Sequence, residues 1–343
     1  KVIFLNYNEI ISVLGKIKKG NYCILLDPNN TSKFNLDLIK KHSKNIRMIQ
    51  DPIQHYKSIK NSTEIKNSEK AHLLDGVALC KFLFWIKNLK SNITELDIVE
   101  KLESLRLLNK NYLGKSFPTI AGSGPNGAII HYIPNLKSNR KVMKNDILLL
   151  DSGGQYKLGT TDITRTIALG MVTKEQKLNY TLVLKGHINL SLAVFPKGIT
   201  GAYLDYIARS FLWKNEKDFA HGTGHGVGYF LNVHEGPFSI SYKNHVNLEA
   251  GMVFSNEPGY YKENHYGIRI ENLVTTKNAK SNNFLKIDTL TLVPYENNLI
   301  NKNMLSNDEK SWLVNYNKNI FKKVSPFLSA NERNWLDKTC KMI

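Results

Sequence analysis

Residues 221–228 form the segment HGTGHGVG, in which every second position from 222 to 228 is glycine. A segment with so few side chains cannot build a packed core, and glycine lets the backbone approach a neighbouring group closely. Histidine is the side chain that most often binds metals. The segment therefore predicts a loop that holds a ligand, with His221 and His225 as its candidate metal donors.

Four carboxylates elsewhere in the chain complement this loop, namely Asp151, Asp162, Glu257 and Glu271. Three of them follow apolar runs (ILLL, MVF and IRI), where an uncompensated charge would be costly to bury. Four negative charges balance two divalent cations, and one imidazole, that of His225, is then sufficient as the nitrogen donor. Oxygen donors with one imidazole suit Mn²⁺, Co²⁺ or Zn²⁺. The pattern predicts a two-metal hydrolytic site.

Each of these acids also fits a structural role when it is taken singly. A carboxylate at a strand end is more often a cap or a salt-bridge partner than a ligand. Asp162 fits a turn cap, Glu257 fits a turn before Pro258, and Glu271 fits an ion pair with Arg269. Only the set of acids together with His225 favours a metal site.

Composition limits the class of protein. The chain has 343 residues, 42% of them apolar, which predicts two or three domains and a substantial core. No run approaches the roughly 18 apolar residues of a membrane span. Cys23, Cys80 and Cys340 are widely separated, which argues against a disulfide framework and favours reduced thiols in a cytoplasmic setting. The net charge of +18 is spread over scattered lysines, which favours solvated surface groups over nucleic-acid binding.

Helix and strand signals divide the chain. The sequence predicts a β-α-β remnant with a strand at 21–27, a helix at 33–42 and a strand at 46–50. Its beginning is expected to lie before Lys1, and a targeting segment removed from the start of the chain is an alternative that the sequence leaves open. Capping signals predict helices that begin near Ser62 or Thr63, after Thr94 and after Thr173. The remaining predicted elements are strands at 146–154 and 159–170 that form a hairpin, helices at 173–194 and 203–213, strand-like runs at 251–260, 266–276 and 288–293, and a helical tail at 306–343.

Longer motifs carry a family resemblance. The segments DSGGQYKLGTTDITRT, HGTGHGVG, NEPGYY and GIRIEN, in this order, resemble the dinuclear-metal pita-bread peptidases. With GPNGAIIHY and LNVHEGP the chain resembles the aminopeptidase P (Xaa-Pro aminopeptidase) family of the cytosolic eukaryotic type. The resemblance implies an α+β, creatinase/methionine aminopeptidase-like catalytic domain at 61–300 and a helical extension at 301–343. Residues 1–60 would be the end of a second, α/β creatinase-type domain.

The resemblance also implies how the metals are held. Asp151 would chelate one ion, His225 and Glu257 the other, and Asp162 and Glu271 would bridge both. In the family, a hydroxide that bridges two divalent ions, expected here to be Mn²⁺ with Zn²⁺ or Co²⁺ as alternatives, attacks the carbonyl before proline. Glu257 would then carry the proton to the leaving nitrogen.

Further residues receive roles from the same resemblance. His234 would stabilise the tetrahedral intermediate, and His131 and His221 would line the proline-side pocket and contact the substrate. Arg269 and Tyr260 would support the metal ligands and the hydrogen bonding of the site. Taken alone, His131 and His234 fit structural histidines better than substrate contacts, and their position inside the matched motifs reverses that preference. His245 and His265 match no motif and are predicted to lie on the surface.

Partners and rival functions follow from the resemblance. The expected substrates are peptides with proline in the second position. Their bond to proline is a tertiary amide without an N–H, so it calls for a dedicated enzyme. A homodimer through the C-terminal catalytic domain is expected, whereas nucleic acid and membranes are not expected partners. The alternatives are an Xaa-Pro dipeptidase (prolidase), a methionine aminopeptidase, and a catalytically inactive binding module of the same fold.

Overall fold

The computed structural model describes residues 3–18, 22–89 and 91–342. The chain divides into an N-terminal unit, Lys1–Lys57, and a C-terminal unit, Ser58–Ile343. Asn21 and Ile343, which the sequence analysis included in a strand and in the tail helix, lie outside the described residues. Within those residues, no helix combines the length and apolar character needed to cross a membrane.

The N-terminal unit is small and of the α/β type. Strands β1 and β2 pair in parallel, with Ile24 opposite Ile46, and the helix between them crosses over the pair. Its core consists of Leu14, Leu26 and Ile39. In chain order the elements are α1 (Ile10–Lys18), β1 (Ile24–Leu26), α2 (Lys33–His42), β2 (Ile46–Met48) and α3 (Pro52–Ser58), the last of which ends at the unit boundary.

The C-terminal unit contains six longer helices among its described residues. They are α4 (Ser62–Lys87), α5 (Glu95–Leu107), α6 (Lys174–Ser191), α7 (Gly201–Trp213), α8 (Asn307–Val324) and α9 (Ala330–Lys341). Capping boxes begin α5 at Thr94 and α6 at Thr173, as the sequence predicts. Helix α4 is capped by Asn61 rather than by Ser62 or Thr63, because the Asn61 amide oxygen accepts the hydrogen bonds of the Thr63 and Glu64 amides.

Antiparallel sheets lie against these helices. The strands are β3 (Tyr112–Lys115), β4 (Ile120–Ser123), β5 (Ile147–Ser152), β6 (Gly154–Tyr156), β7 (Gly159–Thr160), β8 (Ile163–Ala168), β9 (Val194–Pro196), β10 (Gly224–His225), β11 (Ser239–Ile240), β12 (Val253–Asn256), β13 (Gly259–Lys262), β14 (Tyr266–Arg269), β15 (Asn272–Asn278) and β16 (Phe284–Thr289). They form sheets in the orders β4-β5-β8, β3-β6-β7, β12-β15-β16-β9, β13-β14 and β10-β11.

Three apolar clusters join helices to sheets. One packs α4 and α5 against the outer side of β5, for example through Phe82, Leu102 and Leu148. A second packs α7 against β12 and β15. The third and largest joins α6, β14 and α8. These clusters hold the helices against sheets whose strands and strand ends carry residues of the cavity described below.

Several predicted boundaries are corrected. The strand predicted at 159–170 is interrupted: β7 and β8 flank Thr161 and Asp162, which belong to neither strand. Helix α6 stops at Ser191 rather than near Val194, because Val194–Pro196 pairs with β16 instead. The tail is two helices, since the turn at Ser325–Phe327 contains a proline and Ser329 caps a new helix. The strand predicted at 288–293 instead occupies Phe284–Thr289.

Candidate metal centre and active site

All five predicted metal ligands line one cavity of about 570 Å³ in the C-terminal unit. They reach it from separate elements. Asp151 lies in β5, Asp162 lies in the break between β7 and β8, and His225 ends β10. Glu257 directly follows β12, and Glu271 lies between β14 and β15. His131, His221, His234 and Arg269 line the same cavity.

His225 presents one defined nitrogen to the acids. Its Nδ1 lies 3.0 Å from the carbonyl oxygen of Gly226, which can only accept, so Nδ1 carries the hydrogen. In the neutral ring, Nε2 is then the lone-pair atom, and it lies 3.5 Å from Asp162 Oδ2 and 3.3 Å from Glu257 Oε1. A lone pair that faces two carboxylate oxygens is the arrangement of a metal ligand whose other nitrogen is fixed by a carbonyl.

The acids lie close enough to interact strongly. Donor atoms of Asp162, His225 and Glu271 all lie within 4.8 Å of one another. Burial, reinforced by the neighbouring carboxylates, raises the pKa of Asp162 and of Glu271 well above the ordinary carboxyl range. Burial also raises the pKa of Glu257, although His225 and Arg269 oppose that shift. Without added cations the protein therefore disfavours the fully ionised cluster.

Two buried carboxylate oxygens identify where positive charge is needed. Arg269 donates from Nη2 to Asp151 Oδ2 at 2.7 Å, and Thr164 donates from Oγ1 to Glu271 Oε2 at 2.7 Å. The second oxygens of these groups, Asp151 Oδ1 and Glu271 Oε1, are buried and have no hydrogen-bond partner among the residues that the structure describes. Orphaned acceptors beside an imidazole lone pair fit divalent cations, and four carboxylates with one histidine are a hard donor set.

The glycines of residues 221–228 serve backbone packing. A Cβ at Gly224 would lie 1.8 Å from the carbonyl oxygen of Ser255, and a Cβ at Gly226 would lie 2.2 Å from that of Glu235. The loop must therefore lie directly against β12 and against the segment that contains His234. This close approach brings His225 beside Glu257, whereas the sequence predicted only that the glycines let the backbone approach a neighbouring group.

His221 belongs to a hydrogen-bonded relay. Burial, and then the nearby Arg269, lower its pKa to about 3, so the ring is neutral. Nδ1 donates to the Gly222 carbonyl at 2.8 Å, and Nε2 accepts from the Tyr261 hydroxyl at 2.8 Å. Arg269 Nη1 in turn donates to Tyr261 at 2.7 Å. Both ring nitrogens of His221 are thus engaged within the chain, and its ring faces the cavity.

The tyrosine that supports Arg269 is Tyr261, which corrects the sequence assignment to Tyr260. Successive residues of a strand point to opposite faces. Tyr261 therefore faces Arg269, and Tyr260 packs away from the site, where the Lys217 ammonium lies 5.3 Å from its ring centroid. The YY doublet in the sequence does not reveal which of its two hydroxyls reaches the site.

The other two histidines lie at the rim of the cavity. His131 is exposed. The ring centroid of His234 lies 3.8 Å from that of His225, and burial followed by the neighbouring His225 lowers the pKa of His234 to about 4. Both are available to a bound molecule. His245 and His265 are exposed, and neither lines this cavity.

Two residues that sequence reasoning missed hold the acids in place. Thr164 donates to Glu271, as noted above, and accepts from Arg269 Nε at 3.2 Å. Ser255 donates from Oγ to Glu257 Oε1 at 2.9 Å and accepts from the His225 amide at 2.9 Å. Each lies within two residues of a metal-ligand candidate, and that proximity in a strand was the only signal for them.

Comparison with known proteins now defines the class. Residues 66–278 match metallopeptidase family M24, and residues 283–343 match the C-terminal region of peptidase M24. The chain belongs to metallopeptidase family M24, and the pita-bread fold implied by the motifs is confirmed.

Particular relatives refine this classification. The chain is 42% identical to a probable Xaa-Pro aminopeptidase P of Sordaria macrospora, over 90% of this chain and 53% of that protein. It is 41% identical to Xaa-Pro aminopeptidase 1 of Dictyostelium discoideum, over 98% of this chain and 56% of that protein. The chain thus spans about half the length of the curated relatives it matches.

Solved structures agree with this family classification. The crystal structure of X-prolyl aminopeptidase from Caenorhabditis elegans, described as a cytosolic enzyme with a di-nuclear active site, superposes with a TM-score of 0.90 at 39% identity. It covers 98% of this chain and 57% of that one. Prolidase from Pyrococcus furiosus has a TM-score of 0.72 at 29% identity and covers 84% of this chain and 80% of that one.

The raised carboxyl pKa values predict how metal removal couples to pH. A carboxyl whose pKa is raised by folding contributes stability that is present below its unfolded pKa, near 4, and is lost as pH rises through the folded value. We expect the chelator-treated protein to lose stability from pH 5 to pH 8, because burial opposes the ionisation of Asp162, Glu257 and Glu271 in the folded protein, whereas the unfolded chain ionises them freely. Bound divalent cations remove this penalty, so the gap in melting temperature between loaded and chelated protein should widen across this range.

Calorimetry of loaded and chelated samples at several pH values measures this gap. The matched variant is Asp162→Asn in its chelated form, which removes one of the repelling charges. Its stability should fall less from pH 5 to pH 8 than that of the chelated wild type. A gap that is constant with pH, or a variant that falls as steeply as wild type, contradicts the electrostatic interpretation.

Proposed function

We propose that this chain is the catalytic part of a metal-dependent aminopeptidase that hydrolyses the first peptide bond of substrates with proline second. One observation carries the proposal. Four carboxylates and the Nε2 of His225 converge on one cavity, where two buried carboxylate oxygens have no partner. The names of the relatives described above support the choice of Xaa-Pro bonds.

We propose the metal assignment as follows. Asp151 would hold one ion, His225 and Glu257 would hold the other, and Asp162 and Glu271 would contribute to both. The free oxygens of Asp151 and Glu271 support this assignment. When bound, two divalent ions supply Lewis-acid polarisation of a carbonyl and lower the pKa of a water molecule. Mn²⁺ is the proposed metal, with Zn²⁺ and Co²⁺ as alternatives that suit the same donors.

The chain's own residues move the proton and hold the substrate. Burial raises the pKa of Glu257, so this group is suited to take a proton from the attacking water and pass it to the proline nitrogen. His234, whose neutral ring lies against that of His225, is proposed to donate to the developing oxyanion. Arg269 fixes Asp151 through its 2.7 Å hydrogen bond.

The walls of the cavity suit a proline ring. Phe117, Ile130 and Ile133 line it together with His131 and the ring face of His221. An apolar wall accepts a pyrrolidine ring, and no donor or acceptor is needed for a nitrogen that lacks a hydrogen. Because both nitrogens of His221 bond within the chain, its proposed contact with the substrate is through the ring surface rather than a hydrogen bond.

The location, the oligomeric state and the domain division of the protein are also proposed here. We propose a cytoplasmic location, supported by the description of the Caenorhabditis elegans enzyme as cytosolic. A homodimer through the C-terminal catalytic domain is proposed from the family resemblance alone. The proposed domain division remains 1–60, 61–300 and 301–343.

The first test of function is Glu257→Gln with Mn²⁺ supplied. Loss of the proton carrier should lower turnover of an Xaa-Pro-Xaa peptide by about 10²–10⁴-fold. Turnover is measured by release of the first residue, with metal content determined on the same samples. Glu263→Gln, at an exposed position that does not line the cavity, is the matched control and should turn over like wild type. Wild-type protein without bound metal, or a Glu257→Gln variant with undiminished turnover, overturns the mechanism.

The second test uses the tyrosine doublet. Tyr261→Phe removes the hydroxyl that joins Arg269 to His221, so both buried partners lose a hydrogen bond. We expect kcat/KM to fall about tenfold, as the loss of about 1.4 kcal/mol implies. Tyr260→Phe should leave kcat/KM within about twofold, because that ring packs away from the site. Equal effects of the two substitutions would contradict the assignment of the relay to Tyr261.

An Xaa-Pro dipeptidase is the second candidate, favoured by the likeness to the Pyrococcus furiosus prolidase. The two activities differ in whether the carboxylate of proline is free. An aminopeptidase should cleave Arg-Pro-Pro faster than Arg-Pro, because the longer peptide continues past the cavity. A dipeptidase should show the reverse order, since its site selects a free carboxylate. Comparison of kcat/KM on these two substrates separates the candidates, and faster cleavage of Arg-Pro would replace the first proposal with the second.

A further inference from the structure

A buried ion pair lies behind the segment that joins Asp151 to Asp162. Asp75 of α4 is 3% exposed and Arg106 of α5 is 0% exposed. Arg106 donates from Nε to Asp75 Oδ1 at 2.8 Å and from Nη2 to Asp75 Oδ2 at 3.2 Å. The cavity lining does not include either residue.

The pair is bonded to both sides of the hairpin formed by β6 and β7. On the Asp151 side, Arg106 donates to Ser152 Oγ at 3.1 Å and to the Gly153 carbonyl at 3.4 Å. On the Asp162 side, Thr161 donates from Oγ1 to Asp75 Oδ2 at 3.0 Å. The ion pair therefore bonds the residue that follows one predicted ligand and the residue that precedes another.

The two sides of the hairpin are pressed together at this point. A Cβ at Gly153 would lie 2.0 Å from the Thr161 carbonyl oxygen, so only glycine fits there. Thr161 Oγ1 also accepts from the Gly154 amide at 3.0 Å. The Tyr156 hydroxyl donates to Asp75 Oδ1 at 2.9 Å. Asp75 thus accepts four hydrogen bonds from Arg106, Thr161 and Tyr156, and none of its oxygens is left for the cavity.

We propose that Asp75 and Arg106 are positioning residues that set the separation of Asp151 and Asp162, and hence the binding of two divalent ions between them. This inference rests on the proposed function. A buried ion pair is weak evidence for stability, because apolar replacements of such pairs are often neutral. Residues that orient metal ligands, in contrast, commonly change metal affinity by about 10–100-fold when they are altered.

Two substitutions test the proposal, and Asp75→Asn disturbs more contacts than Thr161→Val. Asp75→Asn removes the charge that Arg106 requires and is the variant with the greater risk of failing to fold. Thr161→Val keeps the shape of the side chain and removes only its hydrogen bonds to Asp75 and Gly154. Thr161→Ser restores the hydroxyl and is the conservative rescue.

Glu309→Gln is the matched control. It breaks another buried ion pair of the same unit, in which Lys185 Nζ lies 2.6 Å from Glu309 Oε2 on α8. Neither of these residues lines the cavity. The control is expected to lower the melting temperature while it leaves the affinity for Mn²⁺ within about twofold of wild type, because distant sites act independently.

The measurement is calorimetric titration of the chelator-treated chain with Mn²⁺, accompanied by electron paramagnetic resonance of the Mn²⁺ pair and by thermal unfolding. We expect Thr161→Val to remain folded, to bind Mn²⁺ about 10–100-fold more weakly and to lose the spin-coupled signal of a metal pair. Thr161→Ser should restore affinity and signal, and Asp75→Asn, where folded, should resemble Thr161→Val.

Wild-type stoichiometry, affinity and spin coupling in folded Thr161→Val overturn the inference, whether or not Asp75→Asn folds. Equal loss of affinity in Glu309→Gln also overturns it, since the effect would then be general destabilisation. These outcomes are distinct from failure of the proposed function, which would appear as a wild-type chain that takes up no Mn²⁺ or cleaves no Xaa-Pro bond.

Discussion

Mutual repulsion of buried carboxylates is the constraint on which this structure depends. Asp162 is 4% exposed and Glu271 is 1% exposed, and burial together with their neighbours raises the pKa of both. Such a cluster stays fully ionised only if positive charge compensates it. Arg269 supplies one cation through its bond to Asp151, and the partnerless oxygen of Glu271 indicates that this is insufficient. The proposed metal ions complete the balance.

The scaffold counters this repulsion by fixing the backbone beside the ligands with buried arginines. Arg106 bonds the carbonyl of Gly153, two residues after Asp151. Arg209 of α7 donates to the His221 carbonyl at 2.5 Å and pairs with Asp205 at 2.9 Å. The planar guanidinium presents five donors in a fixed geometry, so one arginine can bond several acceptors at once. The site is thus held from behind by groups that do not line it.

Charge, motif and apolar context all indicated the same five ligand candidates in the sequence, and the structure brings all five to one cavity. The sequence could not predict contacts that depend on register. The tyrosine relay passes through Tyr261 rather than Tyr260 because one residue of offset reverses the strand face. Asp162 lies outside the strand predicted for it, since the chain breaks between β7 and β8. Asp75 and Arg106 gave no signal, because long-range pairing of α4 with α5 cannot be deduced from local pattern.

Helix α8 is bonded to the scaffold of the site, a conclusion that helix periodicity could not supply. Arg165 donates from Nη1 to the Glu271 carbonyl at 2.5 Å and from Nη2 to the Tyr316 hydroxyl of α8 at 3.1 Å. Two hydrogen bonds therefore connect α8 to the backbone of a predicted metal ligand. Trp312 stacks on Tyr316 with ring centroids 5.1 Å apart, so intramolecular packing alone accounts for this tryptophan. Arg165 thus links this helix to the Glu271 backbone within one chain.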